Sequence, residues 1–167
     1  MIQIRSGVFE TNSSSTHSIC ITADRQSLLN IPDKLVFKPG EYGWEHNRYG
    51  TTEEKASYLY SALAELYDAK ELSVVLNDLY CMLTYLGVDA EFEPIEYWDD
   101  NDRYPENADI DHPDDLSEFV EAVLHGPTRL KYYLFSPDSY ILTGNDNNGH
   151  DVNIDEPYRH ETFYKGN

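Results

Sequence analysis

A chain of 167 residues, 40% of them hydrophobic, can bury one sizeable core and is short for two, so one domain over residues 1–167 is expected. Its 12 lysines and arginines stand against 31 aspartates and glutamates, a net charge of −19. That surface repels phosphates and anionic headgroups, and with no basic patch in the sequence it argues against direct binding to nucleic acid or to a membrane. What it attracts is cationic, a basic protein or a divalent metal ion, although many proteins are acidic merely to stay soluble.

In chain order, Ile2 and Ile4 alternate with polar residues and open the chain as a short strand. Residues 10–18 are polar throughout and lie between apolar flanks, as in a loop held between two buried strands, the second of them at Ile19-Cys-Ile. A third strand is expected over residues 34–38, closed by Pro39-Gly40. Residues 41–50 have no period and read as an ordered loop pinned by Trp44 and Tyr49. Thr51-Thr-Glu-Glu has the capping-box spacing, and Ala56, Leu59, Tyr60, Leu63, Leu66 and Tyr67 then recur at helical intervals, leaving Glu53, Lys55 and Glu65 for water. A second helix follows, with Leu72, Val75, Leu76, Leu79, Leu83 and Leu86 on one face and Gly87 placed to end it.

Residues 88–93 alternate as a half-buried strand. A third helix is expected from Pro113 to Gly126, buried through Leu116, Phe119, Val120 and Val123, with Asp114 and Asp115 complementing its dipole. Tyr132-Tyr-Leu-Phe, a Ser-Pro-Asp-Ser turn and Tyr140-Ile-Leu-Thr read as a hairpin, residues 144–149 as a loop, and residues 151–167 as a tail that packs only in part. Helices set among strands without regular alternation define an α+β class: a mixed or antiparallel sheet packed on two long helices and a third, shorter one. Cys20 and Cys81 each sit in an apolar run and read as buried free thiols. With no long apolar span and no signal-peptide pattern, the expectation is a cytoplasmic protein.

Two groups of residues stand out as sites. The first is the acidic loop around residues 96–112 with the helix start beyond it, where Asp99, Asp100, Asp102, Glu106, Asp109, Asp114 and Asp115 are interleaved with Tyr97, Trp98 and Tyr104. Carboxylates flanked by aromatic anchors suit a partner-binding surface. The second joins the polar loop (Glu10, Thr11, Asn12, Ser13, Ser14, Ser15 and His17, with Arg5 before it) to Asp111-His112 and Asp146. If these segments meet, His17 and His112 with Asp111 or Asp146 make a mixed nitrogen and oxygen set for a divalent metal. Alternatively, Ser14 activated by either histidine makes a nucleophile. No nucleophile elbow or P-loop is present, and either histidine has an ordinary structural role open to it.

The run Arg-Ser-Gly-Val-Phe-Glu-Thr-Asn-Ser-Ser-Ser-Thr-His-Ser over residues 5–18 resembles the opening of a widespread group of uncharacterised proteins of bacteriophages and their bacterial hosts. Ile110-Asp-His and Gly144-Asn-Asp-Asn are similar to later segments of that group. The resemblance implies a phage-related origin and no mechanism. Origin and charge together lead to a small accessory protein that binds a basic host protein, such as a defence nuclease, by placing carboxylates where phosphates would lie, with no cofactor. The competing reading is a small, metal-dependent enzyme built on the polar segments.

Overall fold

The computed structural model describes residues 15–22, 29–43, 45–98, 103–111, 116–145 and 160–165, with residues 15, 16, 145 and 160–165 described through their backbone. The chain is α+β. Strand β1 (Ser15–Thr22) lies inside a four-stranded antiparallel sheet, between β7 (Tyr140–Asn145) and β8 (His160–Lys165), and β4 (Arg48–Tyr49) closes the far side of β7. Ile19 faces Ile141 on one neighbour and Phe163 on the other. Two small parallel pairs lie apart from this sheet. β2 (Lys34–Phe37) runs with β5 (Asp89–Phe92), and β3 (Glu41–Tyr42) with β6 (Asp109–Ile110).

Helix α1 (Thr52–Leu66) is the hub of the core, because every residue from Lys55 to Ala64 except Ser57 is buried. Its start is set locally: the Glu54 N–H donates to Thr51 Oγ1 at 3.2 Å and the Thr51 N–H donates to Glu54 Oε2 at 2.9 Å, the reciprocal bonds that the spacing predicts. Helix α2 (Ala69–Tyr85) begins at Asp68, whose carboxylate accepts from the Glu71 N–H, and buries Leu72, Leu79 and Leu83. It ends before Gly87, whose φ of +83° favours glycine. Helix α3 (Leu116–Leu124) buries Leu116, Phe119, Val120 and Val123, as expected.

Several expectations are corrected. The Tyr132–Phe135 strand of the expected hairpin is the last turn of a helix, α4 (Pro127–Phe135). Pro127 suits the first helical position, and Leu130, Tyr133 and Leu134 fall at the spacing of one helical face, all buried, so packing overrides the strand preference of Tyr-Tyr-Leu-Phe. Lys55, assigned to water, is 1% exposed. Cys81, assigned to the interior, is exposed on α2, whereas Cys20 is buried; both are free thiols. Ser15 to Ser18 belong to β1 and not to a loop, and Gly144 and Asn145 extend β7. Within residues 41–50, read as loop, β3 and β4 form two short strands. Within the expected tail, residues 160–165 form β8 on β1. The opening strand at residues 2–4 lies outside the described residues.

Candidate functional site

Carboxylates from two distant parts of the chain converge because of one long-range strand pair. β3 and β6 lie parallel with Glu41 opposite Asp109 and Tyr42 opposite Ile110. Side chains alternate along a strand, so burying Tyr42 and Ile110 turns Glu41 and Asp109 out together. The pair is extended at both ends by the Asp109 N–H on Gly40 O (3.1 Å) and the Asp111 N–H on Tyr42 O (2.9 Å). The turn after β3 is anchored to β7, where the Thr143 hydroxyl donates to Glu45 O and the Thr143 N–H donates to Asn47 O. The result is an open cleft of about 540 Å³ lined by Glu41, Glu45, Asp109 and Asp111 with Tyr42 and Tyr49. None of its described lining residues is basic. Directly opposed like charges destabilise a strand pair, so such a cluster is a cost to folding and a reason to seek a cationic ligand.

His17 supports this cleft from beneath. It is fully buried, its Nδ1 lies 2.9 Å from the Tyr58 hydroxyl and its Nε2 lies 3.1 Å from Gly43 O. A carbonyl only accepts, so Nε2 carries a hydrogen, and in the neutral ring Nδ1 accepts from Tyr58. Asp111, just past β6, and His17, on β1, therefore hold the adjacent carbonyls of Tyr42 and Gly43. Both ring nitrogens serve this tie, an arrangement of support and not of proton transfer to a substrate. Burial holds the Tyr58 hydroxyl far above its ordinary pKa, and pushes that of Tyr42 up to about 12, so both phenols are neutral and Tyr58 can donate to His17.

Of the other residues named from sequence, Ser14, His112 and Asp146 lie outside the described residues, as do Arg5, Glu10, Thr11, Asn12 and Ser13; Ser15 is the first residue of β1. Among the described residues no group of three or more histidine, cysteine, aspartate or glutamate side chains is arranged to hold a metal ion. In the acidic loop, Asp99, Asp100, Asp102, Asp114 and Asp115 are likewise outside the described residues. The arms of that loop form a narrow hairpin: Tyr97 bridges Pro105, and the Trp98 N–H donates to Tyr104 O at 3.0 Å. Trp98 and Tyr104 stand out from it, 72% and 61% exposed. Glu106 is exposed on the returning arm, three residues before Asp109 enters the cleft.

A second unusual group is Lys55. Its Nζ donates to Ser136 O at 2.6 Å and Ser139 O at 3.1 Å, tying the turn before β7 to α1. Burial, and then the charge of Arg48, lower its pKa from 10.5 to about 8. It borders a separate cleft of about 360 Å³ with Asn30, Thr51 and Phe135. Glu41, Glu45 and Lys55 carry no signal in the sequence, since the first two lie in an aperiodic stretch and the third on an expected solvent face.

No family model matches the chain, and no curated protein or solved structure does either. No helix among the described residues is long and apolar enough to cross a membrane.

Proposed function

We propose that this chain is a small acidic accessory protein of phage type that binds a basic host protein and modulates it, with carboxylates standing where nucleic-acid phosphates would lie. The observation that carries this reading is the cleft lined by Glu41, Glu45, Asp109 and Asp111 on a chain of net charge −19. Field lines concentrate in such a cleft, which speeds and orients the approach of a cationic partner. Trp98 and Tyr104 supply exposed aromatic anchors on the hairpin that leads into β6, the residue types on which binding energy concentrates. The acidic residues at 99, 100, 102, 114 and 115 contribute to the net charge of −19. The enzyme reading draws less support, because His17 is committed to Tyr58 and Gly43.

The test is a comparative capture from bacterial lysate. Immobilised protein is set beside a variant with Glu41→Gln, Glu45→Gln, Asp109→Asn and Asp111→Asn, and the retained proteins are identified by mass spectrometry. A basic, nucleic-acid-binding protein retained by the first and lost from the second is the expected result. Identical retention by both would remove the cleft from the account.

A further inference from the structure

Strand β2 has an edge that no described strand covers. In the parallel pair with β5 the Asp89 N–H donates to Asp33 O (2.8 Å) and the Glu93 N–H to Phe37 O (2.9 Å). Peptide groups of successive strand residues point to opposite sides, so those of Asp33, Leu35 and Phe37 serve β5, while those of Lys34, Val36 and Lys38 point away from it. Among the described residues β2 has only β5 as a neighbour in its sheet. An open edge is a template for another strand, and proteins commonly blunt it with lysine. Here both lysines line the groove beside the edge, and their ammonium groups are engaged by carboxylates on the β5 side. Lys34 Nζ meets Glu91 Oε1 and Lys38 Nζ meets Glu93 Oε1, each at 2.7 Å, across β5.

Beside this strand lies a cleft of about 590 Å³, mostly apolar, lined by Lys34, Val36, Lys38, Tyr42, Tyr49 and Glu53 among others. Tyr42 and Tyr49 also line the acidic cleft, so the two clefts share these side chains as a border. With both lysines paired, the exposed Glu53 is the charge this groove offers an incoming side chain, and Glu54 lies beside it on α1. Four residues of β2 span roughly 13 Å, enough to pair with a short extended segment.

We infer that the open edge of β2 is a docking groove for an extended, basic peptide segment of the partner, which adds to Lys34–Phe37 as a third strand. Main-chain hydrogen bonds to Lys34, Val36 and Lys38 hold the segment, its apolar side chains rest on Val36 and the two tyrosines, and its cations face Glu53 and the acidic cleft beyond. This rests on the reading of the chain as a binder of basic protein, and adds the conformation in which the partner is held.

The probe is a fluorescein-labelled seven-residue peptide alternating lysine and valine, set against the same peptide N-methylated on every backbone amide. The two have equal charge, and only the first can donate main-chain hydrogen bonds to β2. Binding is measured by anisotropy to the wild type, to Val36→Pro and to Asp109→Asn/Asp111→Asn. Val36→Pro removes one outward N–H and leaves the bonds to β5 in place. The unmodified peptide is expected to bind the wild type roughly tenfold or more tightly than the methylated one, and Val36→Pro to abolish that preference. Amide exchange on the wild type keeps the test independent of how Val36→Pro folds: the peptide should slow exchange at Val36 and Lys38. Equal binding of both peptides, weakened by Asp109→Asn/Asp111→Asn, would overturn strand addition and leave the basic-partner reading standing. Binding of neither peptide would overturn both. Protection of those amides without peptide, in a chain that sediments as a dimer, would give the edge to a second copy and overturn the inference.

Discussion

Lys55 allows a quantitative test of the packing around α1. The residue is 1% exposed and its ammonium donates to two carbonyls, with Arg48 nearby opposing its charge. Its pKa falls from 10.5 unfolded to about 8 folded, so between those values the folded protein binds fewer protons than the unfolded one and stability rises with pH. Integrating that difference gives a penalty of about 3 kcal/mol at pH 7 that shrinks to about 1 kcal/mol by pH 9.5. Other groups oppose this trend. Burial raises Cys20 from 9.0 to about 11 and Tyr42 and Tyr60 from 10.0 to about 12, so each of these withdraws stability as pH climbs past its unfolded value. Comparison with Lys55→Met removes them, because the variant keeps all three. Urea denaturation of both proteins at intervals from pH 7 to 9.5 should show the wild type gaining about 2 kcal/mol on the variant, a relative midpoint shift of roughly 1 M. The sign of the difference at pH 7 is immaterial, since methionine gives up the ties to Ser136 and Ser139 as well as the charge. A difference that stays constant across the range would refute the reasoning and return Lys55 to solvent.

Thr51→Ala removes the hydroxyl that accepts the Glu54 N–H and should cost about 1 kcal/mol in denaturant unfolding, with Thr51→Ser restoring most of it. Gly87→Ala meets no atom within 4 Å, so its expected loss of about 1 kcal/mol is backbone strain at φ +83° alone, and Gly87→Asn should lose less. His17→Phe keeps a buried ring and loses both ties, leaving Gly43 O without its donor. It should lower stability by about 2 kcal/mol and weaken partner binding through the displaced turn at residues 43–47.

Features encoded within a few residues were legible in the sequence. The Thr51 and Glu54 pair, Gly87 after the leucine stripe of α2, and the buried face of α3 all follow from local spacing. α4 was obscured because a short apolar run fits either period, and Leu130 and Pro127, which settle it, lie outside the Tyr-Tyr-Leu-Phe that draws the eye. Lys55 is buried because helices and strands enclose α1 on nearly every side, a consequence of topology and not of its neighbours in sequence. The acidic cleft depends on parallel pairing of two-residue strands far apart in the chain, too short to leave a periodic trace. Asp109 and Asp111 were visible as acids, but their partners Glu41 and Glu45 were hidden in a stretch that reads as an aromatic loop.

The most direct measurement of the central claim is the affinity of the captured basic partner across a salt series, for the wild type and for Asp109→Asn/Asp111→Asn, with duplex DNA as competitor. Opposed charges in an open cleft are screened as the Debye length falls to about 8 Å at physiological ionic strength. The account predicts affinity that declines with salt, a weaker complex and a shallower decline for the variant, and displacement by duplex DNA. Affinity that is independent of salt, equal in the two proteins and unaffected by DNA would contradict it.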